Sequence, residues 1–272
     1  MRPIHCVLWD DHVVTGHSDG SVQFRQNGNP VVFKVSGKYI TSVSSIEGYV
    51  AATSIDGTLK VFGTQLSTRL PASLYASAWV DQNFLLTGDS TGEICMWNVH
   101  NFPQKVALKI GHTCAITSIA TGPSRVASSD QKCIKVYGAD SEHFHRTIQS
   151  KGVTTCLTWC TRRSLLCAGG YDRTLHTYDI RMRTPLTHAL SGHSDCILCI
   201  DFSPDGNHVA TGGADGTVKI WDIRTQKSTQ TLDTPRIRND IRNFVNGVAF
   251  SPTGKGDFVY VTSQEQILYG SI

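Results

Sequence analysis

Residues 15–24 read TGHSDGSVQF, and the stretch carries two grammars that cannot both hold. Gly16-His17-Ser18-Asp19-Gly20 satisfies G-x-S-x-G, the turn from strand to helix that presents a hydrolase nucleophile. Asp19-Gly20 flanked by alternating apolar residues is equally the mark of a β-hairpin. Recurrence decides between them, because a nucleophile is needed once and a structural turn many times.

The same grammar returns along the chain as ATSIDGTLKVF (52–62), TGDSTGEICMW (87–97), SSDQKCIKVY, AGGYDRTLHTY, TGGADGTVKIW and the weaker TSQEQILYGS. The turns fall at Asp19, Asp56, Thr91, Gln131, Asp172, Asp215 and about Glu265, so seven units with a period of about 40 residues fill the chain. After each turn apolar residues occupy alternate positions, as in Leu59 and Val61, Ile94 and Met96, or Val218 and Ile220. That is the period of a half-buried strand. An apolar run such as IHCVLW, ITSVSSI or CILCIDF precedes each hairpin, and a fourth segment such as PVVFKV or KVALKI closes most units. Short strands in fours, without helical periodicity, predict an all-β fold, a seven-bladed β-propeller with one unit per blade. Nothing after Gly20 reads as a helix, so the G-x-S-x-G match is a hairpin and not an elbow.

A chain of 272 residues can bury roughly three quarters of its extended surface, enough for a single domain over residues 1–272. The 25 Lys and Arg against 22 Asp and Glu leave a formal charge of +3, too small to indicate nucleic acid or a membrane surface. No run approaches the roughly 18 apolar residues of a spanning helix, and MRPIHCVLWDD meets acidic residues too early for a secretory leader. Nine scattered cysteines, an odd number without a framework, suit free thiols in a reducing compartment. The expected location is cytoplasmic or nuclear.

Unit six carries the densest motif, Gly192-His193 followed by VATGGADGTVKIWD (209–222), which ends in Trp221-Asp222. With the sevenfold period, it resembles the WD-repeat family over essentially the whole chain. The resemblance implies a buried hydrogen-bonded chain of Trp221, Thr211, His193 and Asp215. Indole, hydroxyl, imidazole and carboxylate satisfy one another where no water reaches. A Thr-His-Asp set looks like a catalytic triad, yet in this role it leaves no hydroxyl free to attack. The other units depart from the pattern. Their Trp position holds Arg25, Phe62, Trp97, Tyr137, Tyr178 and about Ser271, and only Gly111-His112 repeats the Gly-His pair. His17 reads as a turn residue outside the pattern, and Trp9-Asp10 as a false match that ends a first strand.

Propellers of this family usually close by letting the N-terminus supply the outer strand of the last blade. Here Ile4 to Trp9 already reads as the inner strand of blade 1, and the last unit stops after its third strand. The expectation is a last blade without its outer strand, whose edge at Ile267 to Ile272 can accept a strand from a partner.

No P-loop is present. His193, Cys196 and Cys199 look like metal ligands, but Cys196 and Cys199 read as three apart on one strand and face opposite ways. Cys156 and Cys160 form only a lone pair, so neither metal nor cofactor is expected. The resemblance implies instead that proteins or peptides bind the face carrying the turns between second and third strands. Tyr39, Tyr75 and Tyr171 fall on that face. So does the long loop DTPRIRNDIRNFVNG, where Arg236, Arg238 and Arg242 stand beside Phe244. Guanidinium with aromatic is a combination enriched at interface hot spots. A second constellation, YDIR and then WDIR one repeat later, places Arg181 and Arg224 just beyond neighbouring third strands. It is similar to the double D-x-R box of substrate receptors that dock on the propeller adaptor of cullin-type ubiquitin ligases. The expected function is a non-enzymatic scaffold or adaptor in a multiprotein complex, with the ubiquitin-ligase receptor as the alternative.

Overall fold

Strands with alternating apolar residues must bury one face, and seven short sheets can do so only against one another. A computed structural model, which describes residues 4–25, 30–100, 105–108, 111–138, 144–235 and 243–272, shows how this is met. The described residues hold 27 β-strands and no helix, in six four-stranded antiparallel sheets and one of three strands. Each sheet is a meander from an inner to an outer strand, and each is one blade. Inner strands of successive blades pack side by side. The inner strand of blade 1, Ile4–Trp9, also packs against Val245–Phe250 and Asp257–Thr262 of blade 7, which closes the ring.

The core is divided among the junctions between blades. Val61, Trp79, Leu85 and Trp97 join blades 2 and 3, while Val218, Val248 and Phe258 join blades 6 and 7. Val13, Ala249 and Val259, with Val7 and Trp9 against them, join blade 7 back to blade 1. The ring therefore closes by side-chain packing between blades, and no sheet spans the junction among the described residues. Second strands lie between neighbouring blades and are buried along their length, as Val13–His17 is. The third strand Thr58–Phe62 alternates in burial, and the outer strand Val31–Lys34 is exposed throughout.

Two local devices recur. The hairpin glycines Gly20, Gly57, Gly92 and Gly216 have φ between +79° and +89°. A Cβ on Gly57 would stand 2.1 Å from the Leu70 carbonyl oxygen, so the turn needs glycine for space as well as for φ. In blades 1, 2, 3, 5, 6 and 7 the inner strand shifts register just after its start, as between Ile197 and Cys199. Such bulges turn the chain sharply where it enters the channel.

The seven-bladed all-β architecture predicted from the period is the one observed, including a last blade of three strands, Val245–Phe250, Asp257–Thr262 and Ile267–Ser271. Three local expectations need correction. His17 closes the second strand of blade 1 rather than lying in a turn. Cys196 precedes the inner strand Ile197–Phe202, so it does not share a strand with Cys199. The Trp position of blade 7 is Gly270, which pairs with Phe258 as Trp221 pairs with Val209. A Cβ on Gly270 would lie 2.4 Å from the Phe258 ring, so the aromatic group here belongs to the second strand instead of the third.

Candidate functional site

Blade 6 carries the set that most resembles catalytic machinery. Trp221 Nε1 donates to Thr211 Oγ1 at 2.8 Å, Thr211 Oγ1 lies 2.7 Å from His193 Nε2, and His193 Nδ1 lies 2.9 Å from Asp215 Oδ2. The carboxylate at Nδ1 places the proton there, so Nε2 accepts the Thr211 hydroxyl hydrogen. The Ser194 N–H and Thr217 hydroxyl also donate to Asp215. Burial alone would raise the Asp215 carboxyl, but these donors, His193 first, outweigh it and hold it well below the usual carboxylate range. Thr211 and the His193 side chain have no exposed surface. With its hydrogen and its lone pair both engaged, this hydroxyl cannot attack a substrate, and the set is a brace.

Other blades build the brace from different positions. Blade 3 keeps Trp97 Nε1 on Thr87 Oγ1 at 2.9 Å, and Asp89 accepts the Thr91 and Glu93 N–H groups of its turn. In blade 4 His112 lies 2.7 Å from Ser128 Oγ and 3.1 Å from Asp130 Oδ2. In blade 1 His17 reaches Thr15 Oγ1 at 2.9 Å from the second strand itself, and in blade 5 His176 reaches Asp172 at 2.6 Å from the third. Sequence reasoning missed these histidines because it sought Gly-His. The usable signal is register: His17 pairs with Ile4 as Gly213 pairs with Ile197. A Cβ on Gly213 would lie 2.7 Å from His193 Nδ1, so a side chain at that position enters the brace.

His112, Asp130 and Cys133 bring their ligand atoms within 4.8 Å of one another, the one such trio among the described residues. Asp130 Oδ1 already accepts the Lys132 and Cys133 N–H groups at 2.8 Å, and Oδ2 faces His112. The trio is the brace of blade 4, with Cys133 at the register of Thr217.

Surface chemistry concentrates elsewhere. Where the chain enters the inner strands, Tyr39, Tyr75 and Tyr171 line one opening of about 470 Å³, together with His5, Gln131 and Thr155. The tyrosines come from blades 2, 3 and 5, and no Lys, Arg, Asp or Glu lines this opening among the described residues. Tyr39 is 38% exposed and Tyr171 59%, so both rings are available at the mouth. Tyr39 stacks at a tilt on His5 with ring centres 5.0 Å apart. Burial, and then the neighbouring Tyr75 phenol, raise the Tyr39 pKa. Burial also lowers that of His5, with His17 adding to it, which leaves this imidazole neutral at physiological pH. Tyr39 and Tyr75, at the starts of inner strands, and Tyr171, in the turn before Asp172, thus line one opening.

Arg236, Arg238 and Arg242 lie outside the described residues. At the base of their loop Asn243 is buried and donates to the Pro235 carbonyl at 2.9 Å and to Gln266 Oε1 at 2.7 Å. Half-buried Phe244 follows, its N–H on Ser263 Oγ at 3.0 Å. Arg181 and Arg224 stand at the opposite end of the ring, on the loops after the third strands of blades 5 and 6. Their side chains are 65% and 58% exposed, and each folds back onto the Asp two residues before it. Arg181 does so through Nε at 2.9 Å and Nη2 at 2.6 Å. The side-chain bonds from Arg224, then backbone N–H groups, hold the Asp222 carboxyl down at about 2.

Residues 143–179 and 184–222 match the family model described as WD domain, G-beta repeat. The chain is similar to guanine nucleotide-binding protein subunit beta-1 of Nicotiana tabacum, 27% identical over 240 residues that cover 77% of this chain and 62% of that one. It is also similar to histone acetyltransferase type B subunit 2 of Candida glabrata, 26% identical over 55% of this chain and 38% of that protein. A shorter likeness, 44% identity over 70 residues, links 26% of this chain to 20% of human THO complex subunit 6. The chain spans less than two thirds of the length of each of these relatives. The family model matches only the stretch around blades 5 and 6, yet the same brace, rebuilt from other strand positions, stands in blades outside it. Divergent copies of one unit, closed into a ring of seven, account for both facts, and the units around blades 5 and 6 are WD repeats.

Proposed function

We propose that this protein is a non-enzymatic scaffold or adaptor of a cytoplasmic or nuclear multiprotein complex. Its principal binding surface is the channel mouth ringed by Tyr39, Tyr75 and Tyr171. The observation that carries this is their convergence from three blades on one uncharged opening of about 470 Å³. Rigid aromatic rings with polar tips give large contact area at low cost in side-chain entropy, which suits a peptide segment entering from a partner. The names of two relatives, a THO complex subunit and a histone acetyltransferase subunit, describe proteins that work as parts of assemblies and support the same role here. Arg236, Arg238 and Arg242, which lie outside the described residues, and Phe244 after them are a further proposed part of the binding surface, on the pairing of guanidinium with aromatic in the sequence. The open edge at Ile267 to Ile272 offers a second mode, addition of a partner strand. The narrower reading, a ubiquitin-ligase receptor docking through Arg181 and Arg224, is tested by recovery of the ligase adaptor with the protein.

A photo-cross-linking residue placed at Tyr75, at Tyr269 on the open edge, or at Thr229 on an outer strand reads the surfaces apart in cell extract. Adducts from Tyr75 are the expected result, with Tyr269 adding others if a partner strand pairs there. Adducts from Thr229 with none from Tyr75 would remove the channel mouth as the binding site.

A further inference from the structure

The loops at the end of the ring opposite the tyrosines carry a concentration of arginine that the scaffold reading leaves unused. In blade 5 the loop between inner and second strands holds Arg162 and Arg163, and the loop after the third strand holds Arg181 and Arg183. Arg224 occupies the matching loop of blade 6. These loops are continuous in space. Arg163 donates from Nε to the Gly206 carbonyl and from Nη2 to Asn207 Oδ1, both at 2.6 Å, which ties blade 5 to blade 6. The stem of Arg162 lies against the same Gly206, where a Cβ would approach it at 3.3 Å. Asp205, the residue before, acts electrostatically on Arg224.

These five guanidinium groups, with Arg146 as a sixth through its Nη1 on the Met182 carbonyl at 2.7 Å, share the loops with three carboxylates, those of Asp179, Asp205 and Asp222. Two of the carboxylates are occupied by their own arginines, and Asp205 is held by Ser203 and Asn207. Arg162 and Arg183 are exposed and have no acidic partner among the described residues. Met182 and Leu186, 49% and 42% exposed, stand in the same loop as Arg181 and Arg183 and at the strand that follows it. Arginine around exposed apolar side chains is the composition of a protein interface, and a site for single-stranded nucleic acid would need an aromatic stacking platform that these loops do not present.

We propose that this arginine face is a second docking surface and that its ligand is an acidic peptide segment carrying an apolar residue. Arg162 and Arg183 supply the unneutralised charge, Arg181 and Arg224 are held in fixed positions by their aspartates, and Met182 with Leu186 receives the apolar side chain. The protein would then hold two partners at once, one on each end of the ring.

The probe is a fluorescein-labelled peptide of about twelve residues, glutamates with two leucines, titrated with the whole protein. Saturable binding should weaken by at least about tenfold when Arg162→Glu and Arg183→Glu are combined, and also between about 50 and 300 mM salt. Lys38→Glu with Lys132→Glu changes the same charge at the other end and should leave binding within about twofold. If the reversed variant melts earlier than the parent, Arg162→Gln with Arg183→Gln replaces it and should give an intermediate loss. Equal binding by the parent and the arginine variants, an equal loss in the lysine variant, or tighter binding of a single-stranded oligonucleotide of matching charge would each overturn the proposal.

Discussion

Thr211 Oγ1 accepts the Trp221 N–H and donates its own hydrogen bond to His193 Nε2, so one oxygen ties the second and third strands to the loop before the inner strand in the dry interior of blade 6. Thr211→Val keeps the shape and removes both bonds, leaving an indole N–H and an imidazole nitrogen buried without partners. Denaturant unfolding should show a loss of about 1–3 kcal/mol, while Thr211→Ser, which keeps the hydroxyl, stays closer to the parent. A valine variant as stable as the parent would mean that the chain of bonds contributes nothing to the fold. This brace was legible in the sequence because Gly192-His193, Thr211, Asp215 and Trp221 stand at the spacing of one known unit. In blade 4 Gly111-His112 gave the histidine but not its partner Asp130, and the braces of blades 1 and 5 were not legible. Their geometry is kept while the contributing position moves, and linear spacing records the order of residues rather than the volume they fill.

Strand meets strand across the blade junctions mostly through apolar side chains, and Asp201 is an exception. It sits half-buried on the inner strand Ile197–Phe202 and accepts the Phe202 N–H at 2.9 Å and, across the junction, the Phe250 N–H of blade 7 at 2.8 Å. Burial wins over these two donors and pushes its pKa up to about 6. An unfolded aspartate titrates near pH 4, so between about 4 and 6 only the folded chain binds this proton. Stability from this group is therefore full at the acid end of that window and declines as pH rises through it, by on the order of 2–3 kcal/mol. Asp201→Asn should flatten this part of the pH profile, so that its stability relative to the parent improves from pH about 4.5 to about 7 in urea titrations. A constant difference across that range would show that Asp201 is ionised in the folded protein throughout. The strands themselves were readable from alternation, since burial on one side leaves a period of two in the residues. Outer strands such as Val31–Lys34, exposed on both faces, keep no such period, and loop residues carry no periodic signal at all. That is why the arginine face went unnoticed apart from Arg181 and Arg224.

Braces and apolar junction cores hold the blades of the closed ring together, and its two ends are where unlike loops meet. Seven blades and their order followed from the period alone. Closure did not, since packing of Val13, Val7 and Trp9 against Ala249 and Val259 joins residues from opposite ends of the chain and leaves no local trace. The tyrosine mouth was legible as two inner-strand entries, Tyr39 and Tyr75, and one turn residue, Tyr171, and became one site only when the ring brought blades 2, 3 and 5 around a common axis. Quantitative co-purification with the parent protein and with a Tyr39→Ala, Tyr75→Ala, Tyr171→Ala variant weighs faces against interior most directly. Loss of hot-spot aromatics should reduce recovery of the principal partner by about tenfold or more, at an unchanged melting temperature. The same partners recovered in the same amounts from a folded variant would contradict a binding function for this face.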